Sequence, residues 1–299
     1  MPAPVSQPDD PALLRVDGPI ATITLNRPAA FNSINLAIAQ KLEQLAVTIE
    51  GDDAIRVVVI EGEGRAFSAG GDLQTIGAAA EANTVTPVVG ELLRHYHAFI
   101  EIIRRMPKIS LSSVHGSAAG AGMGLAFVTD LCIAADDAKF TPAYAKIGVS
   151  PDGGSTVGMV GTVGIRRALQ IFLAEDNFTA QQACDWGLVA KVVPAAELKT
   201  ATRKLAERLA QGANIASAAV PPALFLAMLR RWHAGDLPFE YRDAAMEPAQ
   251  ARSICDAADP VAAFCADGQL WGSLAGDARL LEAVRLAARR IDESQLARS

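Results

Sequence analysis

The sequence predicts an α/β fold in which most strands pair in parallel. Short runs of β-branched residues recur along the 299-residue chain, and segments with helical apolar spacing separate them. Two glycine-rich turns each follow one of these runs and lead towards a helical segment. Neighbouring parallel strands need a crossover, usually a helix, so this alternation indicates the α/β class.

The first elements are a predicted hairpin, a helix and a strand. Residues 13–16 and 20–25 are short apolar runs on either side of a glycine-containing turn. Asn35 is the predicted N-cap of a helix that ends at Gly51. The dense β-branched run at 55–60 is typical of a strand buried on both faces.

The middle of the chain contains a predicted loop, a helix and two further strands. Residues 74–90 are rich in Ala, Thr, Asn and Gly, and their composition predicts a mobile loop. Helical spacing over 92–106 predicts a helix that stops at Pro107, and apolar runs at 109–114 and 131–135 predict buried strands.

The last predicted strand lies near residue 190. Thr179 is expected to cap a short helix that ends at Gly187, and residues 188–193 follow it as a strand. From Ala195 onward the pattern is helical.

Composition excludes several classes of function. The net charge of −6 and the pI of about 5.3 argue against a nucleic-acid-binding surface. The four cysteines match neither a metal-binding nor a redox spacing. The N-terminus lacks the basic-then-apolar pattern of a signal peptide, and no apolar run is long enough to cross a bilayer. We therefore expect a soluble cytoplasmic protein without a nucleic-acid or membrane partner.

The two glycine-rich turns are the features that point to chemistry. One spans residues 65–72 and the other spans 115–124. Glycine and alanine leave backbone N–H groups uncovered at such turns. Two N–H groups that converge on one point can hold an oxygen that gains negative charge during a reaction. The pair therefore predicts an oxyanion hole built from main chain.

The chain resembles the crotonase superfamily, the enoyl-CoA hydratases and isomerases, over roughly residues 12–200. Five segments carry this resemblance in the order and with the spacing that the family shows, and together they are specific although each alone is weak. The segments are 25–32, 65–73, 115–130, 147–154 and 178–194.

The resemblance implies an architecture and a substrate class. It implies a spiral of ββα units in residues 1–200 as the acyl-CoA-binding core, and a helical C-terminal region with an extended tail in residues 201–299. That helical region supports homotrimers or homohexamers in the family. Acyl-CoA thioesters are the implied substrates, with coenzyme A as part of the substrate and with no further cofactor and no metal.

Individual residues take family roles by their position in these segments. The N–H groups of Gly71 and Ala121 would form the oxyanion hole. The adenine of coenzyme A would lie against the turn at 69–73, and Arg65 would approach the phosphates. The implied substrate-binding residues are Ala30, Arg65, Ala69, Asp72, Leu73, Gly124, Tyr144 and Phe264.

The residues that would supply acid and base depart from the hydratase pattern. Hydratases of this family carry two glutamates, and Gly124 and Tyr144 stand at those places. Asp152 matches instead the aspartate that a branch of enoyl-CoA isomerases uses as its base. One carboxylate suffices for moving a double bond from position 3 to position 2, and an apolar pocket would raise its pKa towards neutrality.

Each of these interpretations has an alternative. Asp152 also fits a helix N-cap, and the two roles are compatible. Tyr144 is interpreted either as a residue that lines the acyl pocket or donates to a substrate oxygen, or as an ordinary half-buried tyrosine. For the whole protein the alternatives are a hydratase, lyase or hydrolase of the same superfamily, or a non-catalytic acyl-CoA-binding protein. His95 and His97 are interpreted as surface residues, and His115 and Asp130 as structural ones.

Overall fold

A computed structural model describes residues 6–106 and 108–211. The strands of this part are β1 (Ala12–Asp17), β2 (Ile20–Leu25), β3 (Val57–Gly62), β4 (Ala66–Ser68), β5 (Ile109–Val114), β6 (Ser117–Ala119), β7 (Leu131–Ala135), β8 (Lys139–Thr141), β9 (Phe178–Thr179) and β10 (Lys191–Val193). Its α-helices are α1 (Leu36–Glu50), α2 (Leu73–Glu81), α3 (Val85–Arg105), α4 (Ala121–Val128), α5 (Tyr144–Ile147), α6 (Ser155–Ala174), α7 (Ala180–Asp185) and α8 (Leu198–Gln211).

The strands form a large and a small sheet. The large sheet has the order β1-β2-β3-β5-β7-β10, in which only the β1–β2 hairpin is antiparallel. The small sheet has the order β4-β6-β8-β9, with β8 and β9 antiparallel. The predicted hairpin and the predominance of parallel pairing are confirmed.

The chain passes repeatedly from one sheet to the other. β3, β5 and β7 lie in the large sheet, and each is followed by a short strand of the small sheet and then by a helix. These three ββα units confirm the predicted spiral. Since the units stack in register, the turns between their short strands and helices come to lie side by side.

Apolar residues fill both faces of the large sheet. One core packs the sheet against α1, α3 and α4, and it includes the fully buried Leu42 and Phe99. On the other face, α8 packs Leu198, Ala206 and Ala210 against strand residues such as Val57. This burial on both sides explains why the strands read as continuous β-branched runs.

Several predicted boundaries agree with the structure and one region does not. The Asn35 side chain accepts from the Ile38 amide and caps α1, and Thr179 forms a capping box on α7. The loop predicted at 74–90 is wrong, because α2 and the first turns of α3 occupy it. Asp72 caps α2, and Pro87 falls in the first turn of α3, where a missing N–H is tolerated.

The observed bounds of two strands differ slightly from the predicted ones. The run at 55–60 forms β3 at Val57–Gly62, and only the end of the run at 188–193 forms a strand. None of the helices in residues 6–106 and 108–211 is long and apolar enough to cross a membrane. Phe264 and most of the predicted C-terminal helical region lie outside the described residues, so that division of the chain stays a prediction.

Candidate active site

The first glycine turn connects β4 to α2 and is held by Ile34. The Ile34 amide donates to the Gly70 carbonyl at 2.7 Å, and the Asp72 amide donates to the Ile34 carbonyl at 3.0 Å. In a parallel bridge the groups of alternate residues face opposite sides, so the Gly71 amide points away from Ile34. Among the described residues the Gly71 amide has no hydrogen-bond acceptor.

The second glycine turn connects β6 to α4. The Gly120 amide donates to the Thr141 carbonyl at 2.9 Å, which fixes the turn. Ala121 is the first residue of α4, so its amide has no acceptor within the helix. The positive end of the helix dipole adds to the attraction of this amide for negative charge.

The two turns are in direct contact. Gly70 has a φ of +85°, which favours glycine, and a Cβ atom on it would stand 2.4 Å from the Ala119 carbonyl oxygen and 3.2 Å from the Ala121 nitrogen. Any side chain at this position would push the turns apart. The amides of Gly71 and Ala121 therefore belong to adjoining segments, and such a pair of donors can stabilise a developing oxyanion.

A partly buried ion pair anchors the first turn. The Asp72 carboxylate accepts from Arg27 Nη1 at 3.0 Å, from Ser33 Oγ at 3.1 Å and from the Thr75 amide at 3.2 Å. Burial alone would raise the pKa of Asp72, but the hydrogen bonds from Thr75, Arg27 and Ser33 outweigh it and hold the pKa below its ordinary value. The Asp72 side chain is thus engaged in holding the turn.

Asp152 lies between α5 and α6, and its main-chain carbonyl and its carboxylate differ in their hydrogen bonds. Its main-chain carbonyl accepts from Ser155 Oγ at 2.7 Å, from the Ser155 amide at 3.0 Å and from the Tyr144 hydroxyl at 3.3 Å. Its carboxylate oxygen Oδ1 is buried and has no hydrogen-bond partner among the described residues. The backbone is fixed while one carboxylate oxygen is left available.

Burial dominates the acidity of Asp152. It raises the pKa of this carboxyl above the ordinary value, and the neighbouring Tyr144 hydroxyl and His97 lower it by less. The N-cap interpretation of Asp152 is wrong, because α6 begins at Ser155 with Gly154 as its N-cap and without a side-chain cap. A partly buried carboxyl with a raised pKa is the type of group that moves protons near neutral pH.

The two positions that carry glutamate in hydratases both border Asp152. A Cβ atom on Gly124 would stand 2.9 Å from the Gly153 carbonyl oxygen and 3.3 Å from that of Asp152, so the Asp152 segment fills the space beside this residue. Tyr144 is buried, with 4% of its surface exposed, and its hydroxyl points to Asp152. Burial raises the pKa of Tyr144, so its hydroxyl stays protonated.

The residues expected to bind coenzyme A lie along an exposed rim beside the first turn. The Ala69 amide donates to the Phe31 carbonyl at 2.9 Å, which joins the turn to the segment that contains Ala30. The Arg65 guanidinium lies 5.0 Å from the centre of the Phe31 ring. Leu73 is 57% exposed at the start of α2. The structure brings these four predicted residues together, whereas Phe264 lies outside the described residues.

Some residues were placed correctly and others were missed. His115 Nε2 bonds the Gly64 carbonyl at 3.0 Å, and Asp130 accepts from the Ser110 amide at 2.8 Å, as their structural interpretation requires. The surface interpretation of His95 is wrong, because its side chain is only 14% exposed and bonds Glu43, which links α1 to α3. The sequence reasoning missed Tyr96, a fully buried residue whose hydroxyl donates to the Ala121 carbonyl at 2.9 Å. The signal was a tyrosine on an apolar helix face, since a buried hydroxyl needs a partner.

Comparisons with known proteins agree with this arrangement. The family described as enoyl-CoA hydratase/isomerase matches residues 15–231. The chain is 29% identical over 235 residues to a trans-2-decenoyl-[acyl-carrier-protein] isomerase of Streptococcus mutans, covering 79% of this chain and 87% of the relative. It is 35% identical over 199 residues to the 1,2-epoxyphenylacetyl-CoA isomerase of Escherichia coli, covering 66% and 75%.

Solved structures give the same result. The crystal structure of an enoyl-CoA hydratase from a Polaromonas species superposes with a TM-score of 0.70 at 27% identity, covering 89% of this chain and 93% of that one. The match to the family extends over most of the chain, and the ββα spiral and the paired glycine turns are both present. The chain therefore belongs to the enoyl-CoA hydratase/isomerase family.

Proposed function

We propose that this protein isomerises 3-enoyl-CoA thioesters to 2-enoyl-CoA thioesters. In this proposal Asp152 is the acid and base, and the amides of Gly71 and Ala121 hold the thioester oxygen. The family and the S. mutans and E. coli relatives, both named isomerases, support a reaction of this kind.

The chemistry divides into two proton transfers. The Asp152 carboxylate takes a proton from C2, and the electron pair moves onto the thioester oxygen to give a dienolate. The two amides stabilise this oxygen, and one such donor in another enzyme class is worth about 3–4 kcal/mol. The protonated Asp152 then delivers its proton to C4, the carbonyl re-forms, and the double bond lies between C2 and C3.

The observation that carries the proposal is the unpartnered Oδ1 of Asp152. A buried carboxylate oxygen costs free energy, so its lack of a partner among the described residues favours a role in which a substrate C–H group faces it. A Cβ atom on the adjacent Gly153 would stand 3.6 Å from Ala121 Cα, so the segment that carries Asp152 adjoins the residue that carries one of the two amides.

The hydratase alternative needs a second group to activate water. Glutamate is absent from both family positions, and the Gly124 position is filled by the Asp152 segment. This crowding favours isomerisation over hydration. Hydration is the competing reaction, since the Polaromonas protein is named an enoyl-CoA hydratase. A non-catalytic acyl-CoA-binding protein is the remaining alternative.

Binding of the coenzyme is proposed for the exposed rim. Arg65 would meet the phosphates, and Ala30, Ala69 and Leu73 would contact the adenine. Tyr144 and Gly124 would border the acyl group near Asp152. The trimer or hexamer stays a prediction, and the exposed Ile165, Leu169 and Leu173, spaced by four along α6, offer an apolar surface for it.

The test is a spectrophotometric panel of 3-enoyl-CoA and 2-enoyl-CoA esters with the wild type and Asp152→Asn. We expect the wild type to form 2-enoyl-CoA and the variant to lose turnover by about 10²–10⁴-fold, because the amide cannot accept the proton. Affinity for coenzyme A, measured by calorimetry, should change little.

The matched control is Asp176→Asn, the same change at a carboxylate whose side chain is 83% exposed. It should retain full turnover. Isomerisation that persists in Asp152→Asn would refute the base assignment. Loss of the 2-enoyl chromophore to a 3-hydroxyacyl product would establish the hydratase, and binding without any turnover would establish the non-catalytic alternative.

A further inference from the structure

Tyr96 of α3 contacts both halves of the proposed site. Its side chain is fully buried, and its hydroxyl donates to the main-chain carbonyl of Ala121 at 2.9 Å. Ala121 also carries the second of the two amides that have no acceptor in the described part of the chain. A bond to its carbonyl therefore fixes the residue whose N–H group would hold the thioester oxygen.

The ring of the same tyrosine supports the segment that carries Asp152. A Cβ atom on Gly153 would stand 2.8 Å from Tyr96 Cε1 and 3.5 Å from its hydroxyl oxygen. Position 153 is thus closed to any side chain by the tyrosine ring. Ala121, Gly153 and Tyr96 meet at one place in the core.

Titration of Tyr96 itself is excluded by its surroundings. Burial, followed by the neighbouring Tyr144 and Asp152, raises its pKa well above the ordinary value. The phenol is therefore protonated at neutral pH and remains a hydrogen-bond donor. It cannot exchange protons with a substrate, so its contribution would be made through the groups that it contacts.

We propose that Tyr96 is a positioning residue that sets the distance between the Ala121 amide and the Asp152 segment. The inference rests on the proposed oxyanion role of Ala121. The hydroxyl of Tyr96 orients the first turn of α4, and the ring of Tyr96 fixes the turn at Gly153. Small errors in such distances cost large factors in rate, since donors must match the oxyanion closely.

The test uses Tyr96→Phe, which keeps the ring against Gly153 and removes only the hydroxyl. The probe is 4-(dimethylamino)cinnamoyl-CoA, whose absorption moves to longer wavelength when its thioester carbonyl is polarised. We expect the bound probe to show a smaller red shift than with the wild type. With the 3-enoyl-CoA substrate, kcat should fall about tenfold while KM stays within a factor of two.

The matched control is Ser112→Ala. Ser112 Oγ is buried and donates to the carbonyl of Ala126 at 2.7 Å, so this variant removes the same kind of hydrogen bond from the same helix, farther along it. Both variants should lose thermal stability, and Ser112→Ala should lose at least as much as Tyr96→Phe, because Ser112 Oγ also accepts from Thr129 Oγ1 at 3.1 Å. Only Tyr96→Phe should change the red shift.

Three results would overturn the inference, and they are distinguishable. If the wild type shifts the probe and Tyr96→Phe shifts it equally, Tyr96 has no positioning role and the oxyanion hole stands. If the wild type binds the probe but does not shift its absorption, the oxyanion assignment is wrong and the inference about Tyr96 is wrong as well. A smaller shift in Ser112→Ala equal to that in Tyr96→Phe would reduce Tyr96 to a stability role.

Discussion

Asp72 and Asp152 stand on two turns that each lead into a helix, and both are partly or fully removed from solvent. The Asp72 carboxylate is surrounded by donors, namely Arg27, Ser33 and the Thr75 amide. At Asp152 the donors instead meet the main-chain carbonyl, and Oδ1 is left without a partner among the described residues. Donors make the first carboxylate an anchor, and their absence makes the second a candidate base.

The pKa directions express the same contrast. Burial acts in the same sense on both groups, yet the hydrogen bonds reverse it at Asp72 and not at Asp152. Position on a turn is therefore a poor guide to the role of a carboxylate. What decides it is where the nearby N–H and O–H groups point.

Beyond the turnover test of Asp152 described above, the largest expected effect is the loss of stability in Asp72→Asn. An amide cannot reproduce the charge-assisted bonds to Arg27 and Ser33, so the free energy of unfolding should fall by about 2 kcal/mol. Chemical denaturation measures it, with the exposed Asp176→Asn as the control that should change little. An unchanged midpoint would show that the ion pair does not anchor the first turn.

The next effect is expected from Gly124→Ala. Its Cβ atom would stand 2.9 Å from the Gly153 carbonyl oxygen, so the Asp152 segment must move and kcat should fall about tenfold. Gly161→Ala in α6 is the matched control, because no atom of residues 6–106 or 108–211 lies within 4 Å of a Cβ atom there. That control should keep its turnover and gain about 0.5–1 kcal/mol of stability. Equal turnover in both variants would contradict the close packing of α4 on Asp152.

The smallest expected effect is a gain in the stability of Asp152→Asn over the wild type, and this gain should depend on pH. At pH values below the unfolded pKa near 3.8, Asp152 is protonated in both the folded and the unfolded state, so aspartate and asparagine should be nearly equivalent. As the pH rises through the raised folded pKa, the wild type must ionise a buried carboxyl and loses stability. The variant should therefore become more stable than the wild type by about 1 kcal/mol at neutral pH.

Asp72 predicts the opposite pH dependence. Its lowered folded pKa contributes stability that is present above the unfolded pKa and is lost as the pH falls through the folded one. The defect of Asp72→Asn should therefore shrink below about pH 4. Thermal unfolding of both variants between pH 3 and pH 8 measures the two trends, and parallel curves would remove the distinction between the two carboxylates.

Much of the fold was predictable because its strands are buried on both faces. The runs at Ile109–Val114 and Leu131–Ala135 were predicted with the boundaries that the structure has, since burial leaves a continuous apolar signal. The helices at 73–90 were missed because their composition is that of a loop. α3 packs closely along α1, and such support between distant segments is invisible in a local pattern.

The candidate site was predictable only in part, for a related reason. The glycine turns are visible in the sequence because close contacts such as that of Gly70 with Ala119 admit no side chain. The bond from Tyr96 to Ala121 joins residues that are 25 positions apart. Oδ1 of Asp152 is notable for a contact that is absent among the described residues. No local sequence pattern predicts either feature.

The amides of Gly71 and Ala121 have a further consequence for how this protein changes over generations. A point mutation can replace any side chain, but every amino acid except proline contributes a peptide N–H. The polar cradle at the two turns is thus insensitive to most exchanges at its own positions, while the surrounding acids and bases are free to vary. Under the proposed function, a lineage with these two amides could acquire new reactions through changes in a few neighbouring side chains and still bind the thioester oxygen.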